Sequence, residues 1–481
     1  MSEKTSGKSL ARNAAFSVIY RLMNILFPLI SYGYVARILT AEGVGRHAAA
    51  SNNVSYFVIL GSLGIQAYAT REIARRRDDQ KARDKFFSEM LIINGILTTV
   101  ALTAFFICWL SLPLFKKESM MYLICSALVL ANYFNVDWYF QGMEEFKFVA
   151  VRSFIVKVMS LLAVFLFIRT TDDLYVYAVI CMIANAGNHI LNVIRACRKT
   201  KFSFRGVDLT QHLKPLAFLA LCAVSTELYA RMDISMLDVM DSSSTVAYYS
   251  SVQKIITMIT VTVIAITAAF MPRLSYYYTK DKAEFNRLTK LGTETMIFLS
   301  LPMCLGLISV AYPLISVWLG AEYLAAVPCL MVVALMIPLK CIGEIVCFQV
   351  MMCAGKESYL MVSYMITLGV NFVMNLILIP RYSAFGASVA SLISEILVFV
   401  IVFLASRKYQ NYMLEKKNIL VVLLASAAMC AAVLGLGYFV ESEWVQLLGG
   451  VTLGAGAFAV LNLIFKNTFL INVWKTRHNK A

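Results

Sequence analysis

The sequence predicts an all-α polytopic membrane protein of about fourteen transmembrane helices, built as two six-helix bundles followed by two further helices. Three observations carry this. Of 481 residues, 60% are hydrophobic and 15% charged, with a mean hydropathy of +0.73, whereas soluble proteins hold about 45 to 50% apolar residues. Apolar runs of about 20 residues, the length that crosses a bilayer, recur along the whole chain. The basic residues gather in alternate loops between those runs.

In order, the runs cover 13–38, 47–70, 87–112, 120–142, 148–168, 174–195, 215–239, 247–271, 291–315, 326–353, 358–379, 385–405, 418–440 and 445–466. The distribution of Lys and Arg tests this count, because one missed or invented helix would swap the side of every later loop. Loops such as "REIARRRDDQKARDK", "RACRKTKFSFRG", "TKDKAEFNRLTK" and "SRKYQNYMLEKK", with both termini, hold about thirty Lys and Arg. The opposite loops, "DVMDSSST" and "ESEW" among them, hold about five. Both termini are therefore expected in the cytoplasm, and no loop is long enough for a soluble domain.

The formal net charge of +15 lies in short loops rather than on one solvated face, which excludes nucleic acid as the partner and leaves the lipid bilayer. The 11 cysteines include Cys108, Cys125, Cys181, Cys222, Cys341 and Cys430, all inside apolar runs. They read as small hydrophobes rather than as disulfides or metal ligands. No cleavable signal peptide is expected, because the first apolar run is long, contains Arg21 and ends without a small-residue cleavage site.

A faint internal repeat sets the domain boundaries. "ICWLSLPLF" ending the third run resembles "LISVAYPLI" in the ninth, and "FQG" at 140–142 echoes "FQV" at 348–350. Six helices per unit is an even number, so both units enter the membrane in the same sense, related by a pseudo-two-fold axis along the membrane normal. The expected divisions are 1–205, 206–410 and 411–481.

Ionisable residues inside apolar runs are costly, about 2.5 to 3.5 kcal/mol each at a helix centre, and mark paired groups or wet cavities. They are Arg21, Lys157, Glu227, Arg231, Asp233, Lys254, Lys340, Glu344 and Glu395. Glu227 and Arg231 are four apart, as are Lys340 and Glu344, so each pair permits a salt bridge within its own helix. Arg21, Lys157 and Lys254 have no acid at helical spacing, and a water-filled cavity is the favoured explanation. Arg152 is read as snorkelling to the cytoplasmic interface. Basic groups from both halves describe a chamber for an anionic cargo, while the acids either neutralise it or bind a coupling cation. Asn52 and Asn53 could meet sugar hydroxyls, although hydrogen bonding between helices is the commoner use of such residues. Pro28, Pro302 and Pro338 fall inside runs and favour kinks.

"DWYFQGMEEFKFVAVRSFIVKV" at 137–158 resembles the segment after the fourth helix of Wzx-type flippases, which move lipid-linked O-antigen or exopolysaccharide repeat units. "ARILTAEGVGRHAAASNNVSYFVILGSLGIQAYATREIAR", "LYARMDISMLDVMDSSSTVAYYSSVQKI" and "RYSAFGASVASLISEILV" are similar to the same family. The resemblance runs over nearly the full length and is most specific at Trp138 to Glu144. It implies membership of the multidrug, oligosaccharidyl-lipid and polysaccharide exporter superfamily, with two six-helix bundles around a central cavity and two further C-terminal helices bordering a lipid groove. The implied activity is transfer of undecaprenyl-pyrophosphate-linked oligosaccharide from the cytoplasmic to the periplasmic leaflet of the bacterial inner membrane by alternating access. Neither ATP nor a bound cofactor is implied; H+ or Na+ is the implied coupling ion, and a polysaccharide polymerase and a chain-length regulator are the implied protein partners.

On this reading Arg21, Arg231, Lys254, Lys340 and Lys157, with Asn52 and Asn53, line the cavity, because a pyrophosphate needs cationic partners at membrane depth. Asp233, Glu227, Glu344 and Glu395 are the candidates for cation coupling. A multidrug antiporter of the same superfamily is the nearest alternative, disfavoured by the prominence of intramembrane bases. A membrane-embedded polymerase or ligase is the second, disfavoured because every outer loop is short and no nucleotide-binding or H-E-x-x-H motif occurs.

Overall fold

The computed structural model describes residues 27, 29–203, 206–267, 270–411, 414–465 and 467. The expectations for Arg21 and Pro28 lie outside the described residues. All regular structure among the described residues is helical. Among them, 11 helices are long and apolar enough to cross a membrane, and the chain is a multi-pass membrane protein. Its outward faces carry Ile107, Leu110, Leu166, Ile183 and Leu463, all more than half exposed, whereas Asn94, Asn132, Asn192, Asn371 and Asn375 are buried. Apolar groups outside and amides inside is the distribution a hydrocarbon solvent selects.

Contacts divide the chain into two compact units, Met1–Ala247 and Tyr248–Ala481. The first holds α1 (29–38), α2 (Thr40–Ser62), α3 (Ile65–Arg75), α4 (Gln80–Ser111), α5 (Pro113–Lys117), α6 (Ser119–Cys125), α7 (Ala127–Asn132), α8 (Asp137–Gly142), α9 (Phe146–Phe167), α10 (Leu174–Cys197) and α11 (Thr210–Met240). The α4 start is set by Asp79, whose carboxylate accepts from the Ala82 amide at 3.0 Å, filling one of the donors a helix start leaves open.

Two departures from the expected spans shape this unit. The run expected over 47–70 bends where α2 meets α3. There Leu63 and Gly64 take φ of 25° and 75°, and a Cβ on Gly64 would stand 2.8 Å from the backbone nitrogen of Ala220 on α11. Only glycine supplies both that φ and that approach. The run expected as one helix over 120–142 is instead α6, α7 and α8 with an irregular link between α7 and α8. Asn132 explains the break: its backbone carbonyl accepts from the Asn94 side chain at 2.7 Å, and its own side-chain amide donates to the Thr98 hydroxyl at 2.8 Å. A buried amide thus ties the interruption to α4.

The second unit holds most of α12 (Ser243–Thr267), then α13 (Met271–Lys280), α14 (Lys282–Ser309), α15 (Ala311–Leu319), α16 (Val327–Ala334), α17 (Met336–Gly343), a π-helical stretch (Glu344–Gln349), α18 (Val350–Cys353), α19 (Ser358–Ser406), α20 (Lys416–Phe439) and α21 (Glu443–Ile464). Pro302 sits inside α14 without ending it. The span around Pro338 keeps crossing, over Ala321–Cys353, but changes pitch from α-helix to π-helix at Glu344. The 49-residue α19 contains both runs expected over 358–379 and 385–405, separated at Ser383, where φ is 53° and ψ −135°.

Candidate functional site

The first unit contains an open cavity of about 770 Å3. Its walls come from α2, α3, α8, α10, α11 and the α7 region. The word "DWYFQGME" divides cleanly between core and cavity. Trp138, Tyr139 and Phe140 are buried against Phe86 and Phe87 of α4, with ring centroids 5.5 Å apart for Phe87 and Trp138 and 5.4 Å for Phe87 and Tyr139. Such edge contacts add about 0.5 to 1.5 kcal/mol per pair beyond burial. Gly142 lets α8 lie on α3, since a Cβ there would meet Ile73 Cγ2 at 2.7 Å and the Thr70 carbonyl oxygen at 2.8 Å. That packing leaves Gln141 and Glu144 lining the cavity beside Gln66 and Arg71 of α3.

On α11, Glu227 and Arg231 also line the cavity and are joined, with Arg231 Nε donating to Glu227 Oε2 at 2.8 Å. Both side chains stay more than one-third exposed, so the pair is worth about 0.5 kcal/mol. The cavity therefore holds two arginines and two glutamates, a balanced rather than a purely cationic wall.

Asn52 and Asn53 do not line this cavity; they join α2 to α11. Asn52 Nδ2 donates to the Arg231 carbonyl at 3.2 Å and to Ser235 Oγ at 2.9 Å. Asn53 Nδ2 donates to Asp238 Oδ2 at 2.9 Å and to Tyr122 Oη at 2.8 Å, while Ser235 Oγ donates to Asn53 Oδ1 at 2.7 Å. Asp238, read from sequence as part of an outer loop, is thus a member of α11 held by α2 and α6. Asp233 is buried on the same helix. Lys157 is half-buried on α9 and lies outside the cavity wall.

Arg152 requires a correction. Instead of snorkelling it is 6% exposed, with Nη1 donating to Asp137 Oδ1 at 3.2 Å and to the Asn188 carbonyl at 3.2 Å. Asn192 donates to the same Asp137 oxygen. The bridge links α8, α9 and α10, and its sequence signal was the acid that opens "DWYFQG".

In the second unit the pairing also differs from the spacing. Lys340 donates to Glu395 Oε2 of α19 at 2.8 Å, and Glu344, four residues on, accepts from Gln349 Nε2 at 3.3 Å across the π-helical turn. Lys254 is half-buried on α12. Among the described residues no cluster of three or more His, Cys, Asp or Glu could hold a metal ion.

Residues 10–278 match the family described as "Polysaccharide biosynthesis protein". Two proteins named "Putative O-antigen transporter" are similar: that of Shigella dysenteriae is 25% identical, over 78% of this chain and 94% of its own length, and that of Escherichia coli (strain K12) is 22% identical, over 82% and 96%. Among solved structures, the lipid II flippase MurJ in an inward closed conformation superposes with a TM-score of 0.76 at 15% identity, over 96% of this chain and 100% of MurJ. An inward-facing multidrug resistance MATE family transporter of the MOP superfamily superposes at 0.63 and 15% identity, over 81% and 97%. The two relatives are transporters by name, the fold is shared with MurJ and with the MATE family transporter, and the chain belongs to the polysaccharide biosynthesis protein family.

Proposed function

We propose that this protein is a flippase for a lipid-linked oligosaccharide, moving an undecaprenyl-pyrophosphate-linked repeat unit of a surface polysaccharide from the cytoplasmic to the periplasmic leaflet. The observation that carries the reading is a cavity of about 770 Å3, whose mixed wall sets Arg71, Glu144, Glu227 and Arg231 among apolar side chains, inside a helical unit whose outer faces are apolar. A glycan on a lipid carrier needs a shelter that offers it polar partners, because each polar group stripped of partners in hydrocarbon costs several kcal/mol. Relatives that bear an O-antigen transporter name and match over nearly their whole length, and the flippase fold, support it.

In this mechanism Arg231 exchanges its weak bond to Glu227 for phosphate oxygens, which offer a guanidinium two parallel acceptors. Arg21 captures the pyrophosphate at the cytoplasmic mouth, and Lys254, Lys340 and Lys157 are the further basic candidates. Glu227, freed when Arg231 turns to cargo, is the leading acid for coupling to H+ or Na+, with Asp233, Glu344 and Glu395 behind it. The protein sits in the bacterial inner membrane with both termini cytoplasmic, and passes its cargo to a polymerase working with a chain-length regulator.

The test is reconstitution in liposomes with labelled undecaprenyl-pyrophosphate-linked oligosaccharide, following leaflet transfer under imposed proton or sodium gradients. Transfer that requires the protein is the expected result. Its absence under every gradient, with the protein folded and inserted, would overturn the reading.

A further inference from the structure

We infer that the π-helical turn of the second unit, together with the end of α12, forms a binding site for a Na+ ion. Its ligands are oxygens of three residues: the Glu344 carboxylate, the Gln349 carboxamide, and the hydroxyl and backbone carbonyl of Thr267. The site draws on no residue of the first unit's cavity and stands without the flippase reading. Under that reading it deepens the account of coupling, because it gives Na+ a place of its own in the second unit.

The π pitch assembles the ligands. In a regular α-helix residues five apart point roughly 140° away from each other, so Glu344 and Gln349 would face different neighbours. The stretch Glu344–Gln349 is π-helical, a pitch that pairs residues five apart and recurs at functional sites, and the two side chains meet. Gln349 Nε2 lies 3.3 Å from Glu344 Oε1, 3.3 Å from Thr267 Oγ1 and 3.4 Å from the Thr267 carbonyl oxygen. Three oxygens thus converge on one nitrogen between α12 and the turn. That nitrogen has only two hydrogens to give, and all three contacts exceed the usual range of about 2.7 to 3.2 Å, so it holds the oxygens weakly.

Gln349 is 2% exposed, and its Oε1 is buried without a hydrogen-bond partner. A half-turn of the carboxamide brings that oxygen to face the other three and gives up only the long contacts of Nε2. Oxygens at neighbouring corners of an octahedron with bonds of about 2.4 Å stand about 3.4 Å apart, which is the spacing found around the carboxamide. The Thr267 hydroxyl spends its hydrogen on the Ile264 carbonyl at 2.7 Å, so Oγ1 has lone pairs to offer. Charge then selects the ion. Glu344 lies in the span Ala321–Cys353, where an uncompensated carboxylate is costly. Lys340, one turn before it, is bound to Glu395 at 2.8 Å, and among the described residues no base forms an ion pair with Glu344. One carboxylate among neutral oxygens carries a single negative charge, which a monovalent ion matches. Ca2+ takes more carboxylates, and softer metals take nitrogen or sulfur. Na+ forms bonds to oxygen of the length given above, and K+ forms longer ones.

The test is equilibrium binding of radiolabelled Na+ to the purified full-length protein in nanodiscs, in choline buffer at neutral pH and without any lipid-linked sugar. The expected result is saturable binding that an equal concentration of K+ does not displace. Glu344→Gln should weaken it by about tenfold or more and Thr267→Val by about three- to tenfold, as for the loss of a charged and of a neutral contact. Thr267→Ser keeps both oxygens and should bind like wild type. That variant, with melting curves of all three measured in choline, separates lost ligation from lost folding. A wild-type protein without saturable Na+ binding, the behaviour of a carboxyl that takes only a proton, would overturn the site, and so would wild-type affinity in Glu344→Gln. Because no cargo is present, either failure leaves the flippase reading as it stands, and a failure of leaflet transfer leaves this site untouched.

Discussion

Lys340 reaches across from α17 to Glu395 on α19, at 2.8 Å, and leaves Glu344 on its own helix to Gln349. The Glu395 side chain is nine-tenths buried and that of Lys340 about two-thirds, so removing either end strands a charge in a place where water does not reach it freely. Lys340→Ala and Glu395→Ala should each lower the melting temperature of the detergent-solubilised protein. The double variant should fall by less than the sum of the two, with a coupling of about 1 to 3 kcal/mol. Glu344→Ala combined with Lys340→Ala should show no such coupling. A double-mutant cycle on melting temperature or denaturant midpoint measures all three, and coupling between 340 and 344 instead would contradict the observed pairing.

Arg152 gives a second prediction. Its buried guanidinium binds Asp137 and the Asn188 carbonyl together through Nη1, at the end of a rigid planar group whose reach and direction a lysine ammonium does not reproduce. Arg152→Lys should therefore destabilise the first unit by about 1 to 3 kcal/mol, and Arg152→Ala by no less. Were the residue only a snorkelling interfacial cation, the lysine variant would melt like wild type.

These two cases show where the sequence is readable. Glu227 and Arg231 lie four apart on a regular helix, and the spacing alone anticipates their bond. Lys340 and Glu344 have the same spacing, yet 344–349 is π-helical and an acid 55 positions away takes the lysine. Local periodicity carries no information about a partner on another helix. The long apolar runs from 87 and 148 emerged as α4 and α9 because hydrocarbon length is a strong constraint. The break between α7 and α8 did not, because it depends on one amide, Asn132, finding Asn94 and Thr98. The cavity residues Gln66, Gln141 and Glu144 were legible only as parts of a family-like word; which letters face the core and which face the cavity follows from α8 lying on α3.

At the start of α11 a buried chain of hydrogen bonds joins three helices. His212 Nε2 contacts Glu89 of α4 at 2.9 Å, and Tyr68 Oη of α3 contacts His212 Nδ1 at 2.8 Å. Glu89 also accepts from the Asp208 amide at 3.0 Å, so this one carboxylate fixes the entry into α11. Glu89→Ala should cost more than Tyr68→Phe, which removes a single hydroxyl worth about 1 kcal/mol. Hydrogen exchange across 206–214 should accelerate in Glu89→Ala and remain near wild type in Tyr68→Phe. Equal protection in both variants would show that the carboxylate is not the anchor.

Gly142 separates the packing role of the α8 word from its cavity role. A methyl group at this position would come within 2.7 Å of Ile73 Cγ2 and 2.8 Å of the Thr70 carbonyl oxygen, and the second of these is backbone that cannot rotate away. Gly142→Ala should therefore push α8 off α3 at a cost of about 1 to 3 kcal/mol, shifting Gln141 and Glu144 with it. Gly95→Ala on α4, where no atom lies within 4 Å of the added methyl, should not lower the melting temperature at all. In a strain lacking its own exporter, surface polysaccharide should drop in the Gly142 variant even at matched protein levels, and stay normal in the Gly95 variant. If Gly142→Ala melts and exports like wild type, the close seat of α8 on α3 is not what presents the cavity edge.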